Sequence, residues 1–335
     1  MRFKVVNTGQ LVNSYASEML GEIGAEYLHK GCWSDDELIA TAHDADGIIS
    51  SPVERYPRRV IENLIRCRVI SNMGVGYDTI DVDAATELGV CVCHVPDYCM
   101  DEVSEHTMAL ILACARQIVA INRIMKGGKL IRLQPPWVEG PVFKLRGQTL
   151  GLVGFGRIPR TLVRKAQGFG LKVIVYDPFV SHTSVIGYDV EMVERLDRLL
   201  RRSDFVSVHT PLTGETAQMF GPKQFKSMKP TAYFINTARG ALVDQEALFE
   251  ALTEGYIAGA ALDVIEPEIY LESPLLKLDN VIYTGHSGYY SETSVPEQHR
   301  RVVQDIILVL QGQWPRGWAN PQVKGRFIAR WGKNR

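Results

Sequence analysis

What this chain lacks narrows its possibilities before any motif is read. It has no apolar run near the roughly 20 residues that a bilayer crossing needs. The longest helical apolar stretch is MALILACA, from Met108 to Ala115. The N-terminal MRFKVVNTG enters a strand-like run directly, without the apolar core of a secretory leader. A soluble, cytoplasmic protein with no membrane partner is therefore expected. Cysteine is scarce and unpatterned. Cys32, Cys67, Cys91, Cys93, Cys99 and Cys114 form no CxxC pair and no disulfide framework, so reduced buried thiols and no metal site are expected. An excess of charge of either sign is also missing, with 37 Lys and Arg against 38 Asp and Glu. A net charge of -1 offers nothing to a polyanion, so nucleic acid is not an expected partner. No internal repeat or low-complexity segment is evident.

What the chain does have is regular alternation of strand-like and helix-like segments, the pattern of a parallel α/β architecture. FKVVNT, DGIIS, RVISNMG and VCVCHV read as buried strands. SYASEMLGEI, DDELIATAH, RRVIENL and VDAATELG read as the helices among them. One long helix is expected from near Asp101 to about Met125, ended by Gly127 and Gly128. From Thr149 a second series gives six strands: TLGLVGF, KVIVYD, FVSVHT, AYFINT, IAGAALD and NVIYTG. Helices are expected over 157–167, 196–202, 222–228 and 244–253, and a further one over 295–310 before an irregular tail. Six strands with crossovers suit a doubly wound dinucleotide-binding fold. Only the second series carries a phosphate loop after its first strand. The cofactor domain therefore reads as inserted: residues 101–287 bind the cofactor, and 1–100 with 288–335 form the substrate domain.

GLVGFGRIPR ends a strand and opens a helix. Gly154 would permit the tight turn, and Gly156 would let backbone approach a pyrophosphate at the helix N-terminus. Asp177 follows roughly twenty residues later, at the end of KVIVYD, where a carboxylate accepts from the adenosine ribose hydroxyls and repels a 2′-phosphate. Pro178 and Phe179 come next, with no arginine to pair such a phosphate, so NAD is favoured over NADP. The third glycine of the fingerprint is replaced by Pro159. Proline in the first helical turn costs no intrahelical hydrogen bond, but its ring would push the helix outward and weaken pyrophosphate binding.

Three segments beyond this, INTARG, LDVIEPE and YTGHSG, each sit at the C-terminal end of an expected strand, where open α/β sheets place their sites. They offer Arg239, Glu268 and His286. Alone, each would more often be a surface ion pair, a solvated loop residue or a structural histidine. Their coincidence at three strand ends points instead to reduction of a 2-oxo acid. A protonated histidine donates to the carbonyl oxygen, a carboxylate raises the imidazolium pKa, and an arginine fork pairs with the substrate carboxylate. The cofactor supplies hydride.

These motifs, in this order, resemble the D-isomer-specific 2-hydroxyacid dehydrogenases over nearly the whole chain. The shared features are GLVGFGRI, VHTPLTGET, INTARGALVD, ALDVIEPE and the final histidine, with the 239–268–286 spacing typical of the family. The resemblance implies a Rossmann-like domain inserted in a flavodoxin-like one. It implies Arg239 as substrate-binding, Glu268 and His286 as the acid/base pair, and Asp263 as partner of the nicotinamide carboxamide. Arg157 and Ile158 fall in the phosphate loop. Thr237 and Ala238 resemble cofactor-lining positions, His209, Thr210, Pro211 and Thr216 the adenosine-side loop, and Thr107 and Gly288 residues near the nicotinamide. Val75 and Gly76, in MGVGYDTID, resemble the backbone that holds the substrate carboxylate. PDYCMDEVSEHT and HSGYYSET look closest to the branch that includes the C-terminal-binding proteins, in which an aromatic residue follows the histidine by three positions; Tyr289 stands there, with substrate contact and packing of the cleft wall alongside Tyr290 both open. The family is usually a homodimer through its cofactor domains.

Besides Pro159, two departures from the family pattern lie near the site: Ile269 follows the glutamate, and Gly285 precedes the histidine, where proline is usual. Gly285 loosens the loop carrying His286. The leading reading is an NAD-dependent oxidoreductase that interconverts a 2-oxo acid and a D-2-hydroxy acid. An NAD-sensing, corepressor-like binding protein with residual activity stays open, as does a phosphite-directed relative. Formate enzymes carry glutamine at the position of Glu268, which argues against that class.

Overall fold

The protein is described by a computed structural model, which covers residues 2–127, 141–267 and 272–332. It divides into two compact units, one drawn from residues 1–98 and 291–335, the other from 99–290.

The first unit runs β1 (Lys4–Asn7), α1 (Ala16–Glu22), β2 (Glu26–His29), α2 (Asp35–Ala42), β3 (Gly47–Ser50), α3 (Arg58–Glu62), β4 (Val69–Asn72), α4 (Val82–Glu87) and β5 (Cys91–Cys93). The strands pair in parallel in the order β2-β1-β3-β4-β5, the flavodoxin-like winding. β3, β4 and β5 are buried along their whole length. Both faces of the sheet are therefore covered, which is why these segments read as continuous apolar runs without alternation. β2, EYLH, has only partly buried or exposed residues. It is an edge strand with no apolar signature, and the sequence pattern does not reveal it.

The second unit begins with α5 (Met100–Ala115) and α6 (Ile118–Lys126). These replace the single long helix that the sequence suggests. Gln117 takes left-handed backbone angles (φ 51°), and the two helices diverge by 62°. The apolar period continues through the break, so composition gives no warning of it. Gly128, expected to end that helix, lies outside the described residues. There follow β6 (Thr149–Val153), α7 (Arg157–Gly168), β7 (Lys172–Tyr176), β8 (Glu191–Met192), α8 (Leu196–Arg202), β9 (Phe205–Val208), α9 (Pro222–Lys226), β10 (Tyr233–Asn236), α10 (Gln245–Thr253), β11 (Gly259–Leu262) and β12 (Val281–Tyr283). All pairings are parallel, in the order β12-β11-β10-β9-β6-β7-β8. The two-residue β8 adds a strand to the six expected. The winding reverses at β6, which pairs with both β7 and β9, so the crevice for a dinucleotide falls at the C-terminal ends of β6 and β9.

The chain then returns to the first unit through α11 (Ser294–Leu310), whose Val302, Val303 and Ile306 enter the core on one face of the five-stranded sheet. The tail is not irregular throughout, as expected from its composition. It lays Trp318 antiparallel beside Cys93, anchors the edge through Asn320, which accepts from Val92 N at 2.8 Å and donates to Val90 O at 3.0 Å, and ends in α12 (Lys324–Trp331). The Trp314 and Trp318 indoles lie 5.1 Å apart beneath the Lys324 ammonium. A covered edge strand and aromatic packing, rather than a long apolar stripe, hold this segment.

Candidate active site

Along the C-terminal edge of the seven-stranded sheet, the strand ends bring most of the expected residues into sequence-scrambled neighbours. Gly154 follows β6 with φ 95°. A Cβ there would stand 2.7 Å from His209 O, so the turn after β6 and the backbone after β9 touch, and only glycine fits. Gly156 differs. Its φ is -76°, and a Cβ would meet no protein atom within 4 Å. The fold itself does not require glycine at 156, so what glycine leaves there is room for a ligand. Gly156 caps α7. Among the described residues the amides of Gly156, Arg157 and Ile158 donate to no protein acceptor, while Phe155 N is taken by Asp177 Oδ2 at 2.8 Å. Three outward amides at a helix N-terminus suit a pyrophosphate. Pro159, fourth in this row, is buried in the first helical turn, and α7 forms from Arg157 onward. Asp177 holds its carboxylate at the end of β7 with Phe155 N on one oxygen and Phe179 N on the other at 2.9 Å. It is thereby held beside the loop after β6, and each oxygen keeps a lone pair for a hydroxyl. These features fit a dinucleotide.

His209, after β9, hydrogen-bonds Ser207 Oγ through Nε2 at 2.8 Å, and burial pushes its pKa down to about 4. It is a neutral structural ring at physiological pH. Thr210 Oγ1 points at Met219 Sδ, and Thr216 Oγ1 donates to Pro211 O at 2.7 Å, closing the loop 210–216 on itself.

After β10, Asn236 shapes the turn that carries Arg239. Its side chain donates to Arg239 O at 2.8 Å and accepts from Ala238 N at 3.0 Å. Gly240 is forced by close approach, because a Cβ would fall 2.2 Å from the Ile265 carbonyl carbon. Thr237 Oγ1 lies 3.1 Å from Thr107 Oγ1, and the buried Thr107 hydroxyl gives its proton to Val103 O at 2.7 Å. Thr107 thus acts as an acceptor that orients Thr237.

After β11 and β12 the chain builds one compact cluster. Asp263 is 2% exposed. Its Oδ1 accepts from Thr284 Oγ1 at 2.5 Å and Ser287 N at 2.9 Å, its Oδ2 from Gly288 N at 3.0 Å, and its main-chain oxygen from His286 N at 2.5 Å. His106 Nε2 lies 2.9 Å from Thr284 Oγ1 and 3.4 Å from Asp263 Oδ1. Burial raises the Asp263 carboxyl, but the donors from His106, Thr284, Gly288 and Ser287 together outweigh it and hold the pKa at about 2. Gly285 and His286 both have positive φ, 62° and 57°. The His286 ring meets Tyr289 edge-on, with centroids 6.0 Å apart. Glu268 and Ile269 lie outside the described residues.

In the other unit, the loop after β4 turns its carbonyls inward. Met73 O accepts from Gln298 Nε2 at 2.9 Å, Gly74 O from Val95 N at 2.9 Å, Val75 O from His94 Nδ1 at 2.7 Å and Gly76 O from Asn72 Nδ2 at 2.7 Å. A trans peptide points its N–H opposite its carbonyl, so the Val75 and Gly76 amides face away from this scaffold. Among the described residues they donate to nothing. Two adjacent outward amides suit an anion.

Sequence reasoning singled out none of His106, Thr284, Asn236, Asn72 or His94 by role. His106 and Thr284 stood inside quoted motifs, and a polar side chain flanking a strand-end motif is the signal that could have found them. Among the described residues no three His, Cys, Asp or Glu side chains converge as a metal ion would require, and no single helix is long and apolar enough to cross a membrane.

Fold and site together define a dinucleotide-binding α/β protein with a titratable strand-end cluster. Residues 108–288 match the family described as D-isomer specific 2-hydroxyacid dehydrogenase, NAD binding domain. The chain is 39% identical to a D-3-phosphoglycerate dehydrogenase of Methanocaldococcus jannaschii over 89% of its length, and spans 56% of that relative. It is 37% identical to a glyoxylate reductase of Pyrococcus furiosus, covering 86% of each chain. A D-lactate dehydrogenase from Aquifex aeolicus, solved with NAD and lactic acid, superposes with a TM-score of 0.82 at 28% identity, over 96% of this chain and 98% of that one. The chain belongs to the D-isomer-specific 2-hydroxyacid dehydrogenases, and its cofactor is NAD. Its finer placement beside the C-terminal-binding proteins rests on the sequence motifs alone.

Proposed function

We propose that this enzyme reduces a small 2-oxo acid to the D-2-hydroxy acid, with His286 as proton donor. When bound, NADH supplies the hydride to C2. The observation that carries the reading is the clamped 284–288 segment, which holds an imidazole at a strand end beside Asp263. His286 hands its proton to the carbonyl oxygen as charge develops there, and Glu268 stabilises the imidazolium. Arg239 pairs with the substrate carboxylate and polarises the carbonyl. In the other unit the outward Val75 and Gly76 amides are assigned to substrate binding, as donors to an anion. Tyr289, edge-on to His286, meets the substrate side chain. Gly156, Arg157 and Ile158 hold the pyrophosphate and Asp177 the adenosine ribose, which favours NADH over NADPH. Thr237, Ala238, Asp263, Thr107 and Gly288 form the nicotinamide end. His209, Thr210, Pro211 and Thr216 form the adenosine end, with His209 as a backbone wall.

The relative from Pyrococcus furiosus is a glyoxylate reductase, so glyoxylate is the first substrate to test. Residues 1–100 with 288–335 serve as the substrate domain and 101–287 as the cofactor domain. Ile118, Val119 and Met125 of α6 are about half exposed, an apolar face suited to a homodimer contact through the cofactor domain. The test is NADH oxidation over a panel of glyoxylate, hydroxypyruvate, pyruvate and phenylpyruvate. Turnover with at least one supports the reading. A wholly negative panel with tight NADH binding would replace it with that of an NAD-sensing binding protein.

A further inference from the structure

We propose that His106, on α5, is a positioning residue that fixes the His286 loop through Thr284 and Asp263. The inference rests on the acid/base reading of His286. Proton order in the network follows from valence. Asp263 is ionised, with its carboxyl held at about 2, so it can only accept. The single Thr284 hydroxyl proton goes to Asp263 Oδ1, 2.5 Å away. Thr284 Oγ1 must then accept at its 2.9 Å contact with His106, and Nε2 of His106 carries the hydrogen. The same nitrogen leans on Asp263 Oδ1 at 3.4 Å.

The chain His106 to Thr284 to Asp263 matters because of what Asp263 holds. It binds the 284–288 segment at Thr284, His286, Ser287 and Gly288. Within that segment two successive residues have positive φ, and one of them is His286, not glycine. Left-handed backbone at a residue with a Cβ is unfavourable, and Gly285 brings no stiffness, since a Cβ there would touch nothing within 4 Å. External bonds therefore set the direction of the His286 ring. His106 also closes the back of the cluster: a Cβ on Gly288 would lie 3.2 Å from its Cδ2. Without the His106 donor Thr284 Oγ1 keeps only its own bond to Asp263, and the strained turn loses the restraint that ties it to α5. A reacting group displaced by about 1 Å loses up to about a hundredfold in rate.

The test uses the full-length enzyme and whichever of glyoxylate, hydroxypyruvate, pyruvate and phenylpyruvate the wild type reduces fastest. His106→Leu should lower kcat about tenfold to a hundredfold, with the NADH dissociation constant changed by less than about threefold. His106→Gln, whose amide can donate to Thr284, should recover most of the loss. Combined with His286→Asn, His106→Leu should lower kcat no further. An unchanged kcat in His106→Leu overturns the proposal, and so does an equal fractional loss in the His286→Asn background, which would show that His106 acts elsewhere. If His106→Leu does not fold, Thr284→Val, which breaks the same link, takes its place with the same expectation, and wild-type kcat there overturns the proposal. Full activity in His286→Asn alone would instead sink the acid/base reading and this inference with it.

Discussion

Two glycines two residues apart should respond oppositely to the same methyl group. Gly154 has φ 95° and its missing Cβ would overlap the His209 carbonyl at 2.7 Å. Gly156 has φ -76° and no protein atom within 4 Å of its missing Cβ. For Gly154→Ala, left-handed strain costs roughly 1–2 kcal/mol, and displacing main chain against main chain adds a comparable amount. The total of about 2–4 kcal/mol lowers the melting temperature of a unit this size by roughly 5–15 °C. For Gly156→Ala the backbone angles are ordinary, and the loss of a glycine cap is worth less than about 1 kcal/mol. Its cost falls on the ligand. A methyl group over the Gly156, Arg157 and Ile158 amides keeps a pyrophosphate from at least one charge-assisted hydrogen bond, each worth about 1.5–3 kcal/mol. NADH affinity should drop about tenfold to a hundredfold. Differential scanning calorimetry of the apo-proteins, with NADH titration by protein fluorescence, separates the two effects. Wild-type NADH affinity in a folded Gly156→Ala would refute the placement of the pyrophosphate. An unchanged melting temperature in Gly154→Ala would refute the steric account of the β6 turn.

Other outcomes follow from the same geometry. His286→Asn should reduce kcat about a hundredfold to ten-thousandfold with NADH binding intact, and steady-state kinetics showing near-normal kcat would reject the proton-donor role. On the proposed placement of Asp177 beside the adenosine ribose, NADH should be preferred over NADPH, and Asp177→Ser should narrow the preference; a kcat/KM ratio favouring NADPH in the wild type would contradict this. His209 is held near 4 when folded, against about 6.5 unfolded. The unfolded state therefore takes up the proton first, and stability should fall as pH drops from about 6.5 towards 4, by on the order of 1–3 kcal/mol. A His209→Gln variant whose melting temperature falls just as steeply over that window would show that another group is responsible. Val119→Glu with Met125→Glu on α6 should convert a dimer to a monomer by analytical ultracentrifugation, and a dimer that persists would place the contact elsewhere.

Much of the fold was legible because burial on both faces writes itself as short, predominantly apolar runs without alternation, and β1, β3, β4, β6, β7 and β9 all carry them. β2 was not, because an edge strand with exposed positions needs no such run. The bend at Gln117 was hidden because a single left-handed residue leaves the apolar period intact on either side. The tail beyond 310 holds to the sheet edge by Asn320 and two tryptophans, contacts that no local pattern encodes. The site shows the same division. Gly154, Gly156, Asp177, Arg239 and His286 stand out in the sequence because each lies shortly past the end of a strand. His106 and Thr284 become partners only when α5 and the end of β12 meet, 178 positions apart in the chain.

The central claim is hydride transfer to C2 of a 2-oxo acid at a site where His286 completes the product with a proton. The most direct measurement is turnover of an active 2-oxo acid whose product is chiral at C2, such as pyruvate or hydroxypyruvate, with NADH carrying deuterium at both C4 positions of the nicotinamide, followed by mass and chiral analysis of the product. Deuterium on C2 of the D-2-hydroxy acid, formed by the wild type and almost lost in His286→Asn, is the predicted result. Product of the L configuration, product without deuterium at C2, or undiminished formation by His286→Asn would contradict it.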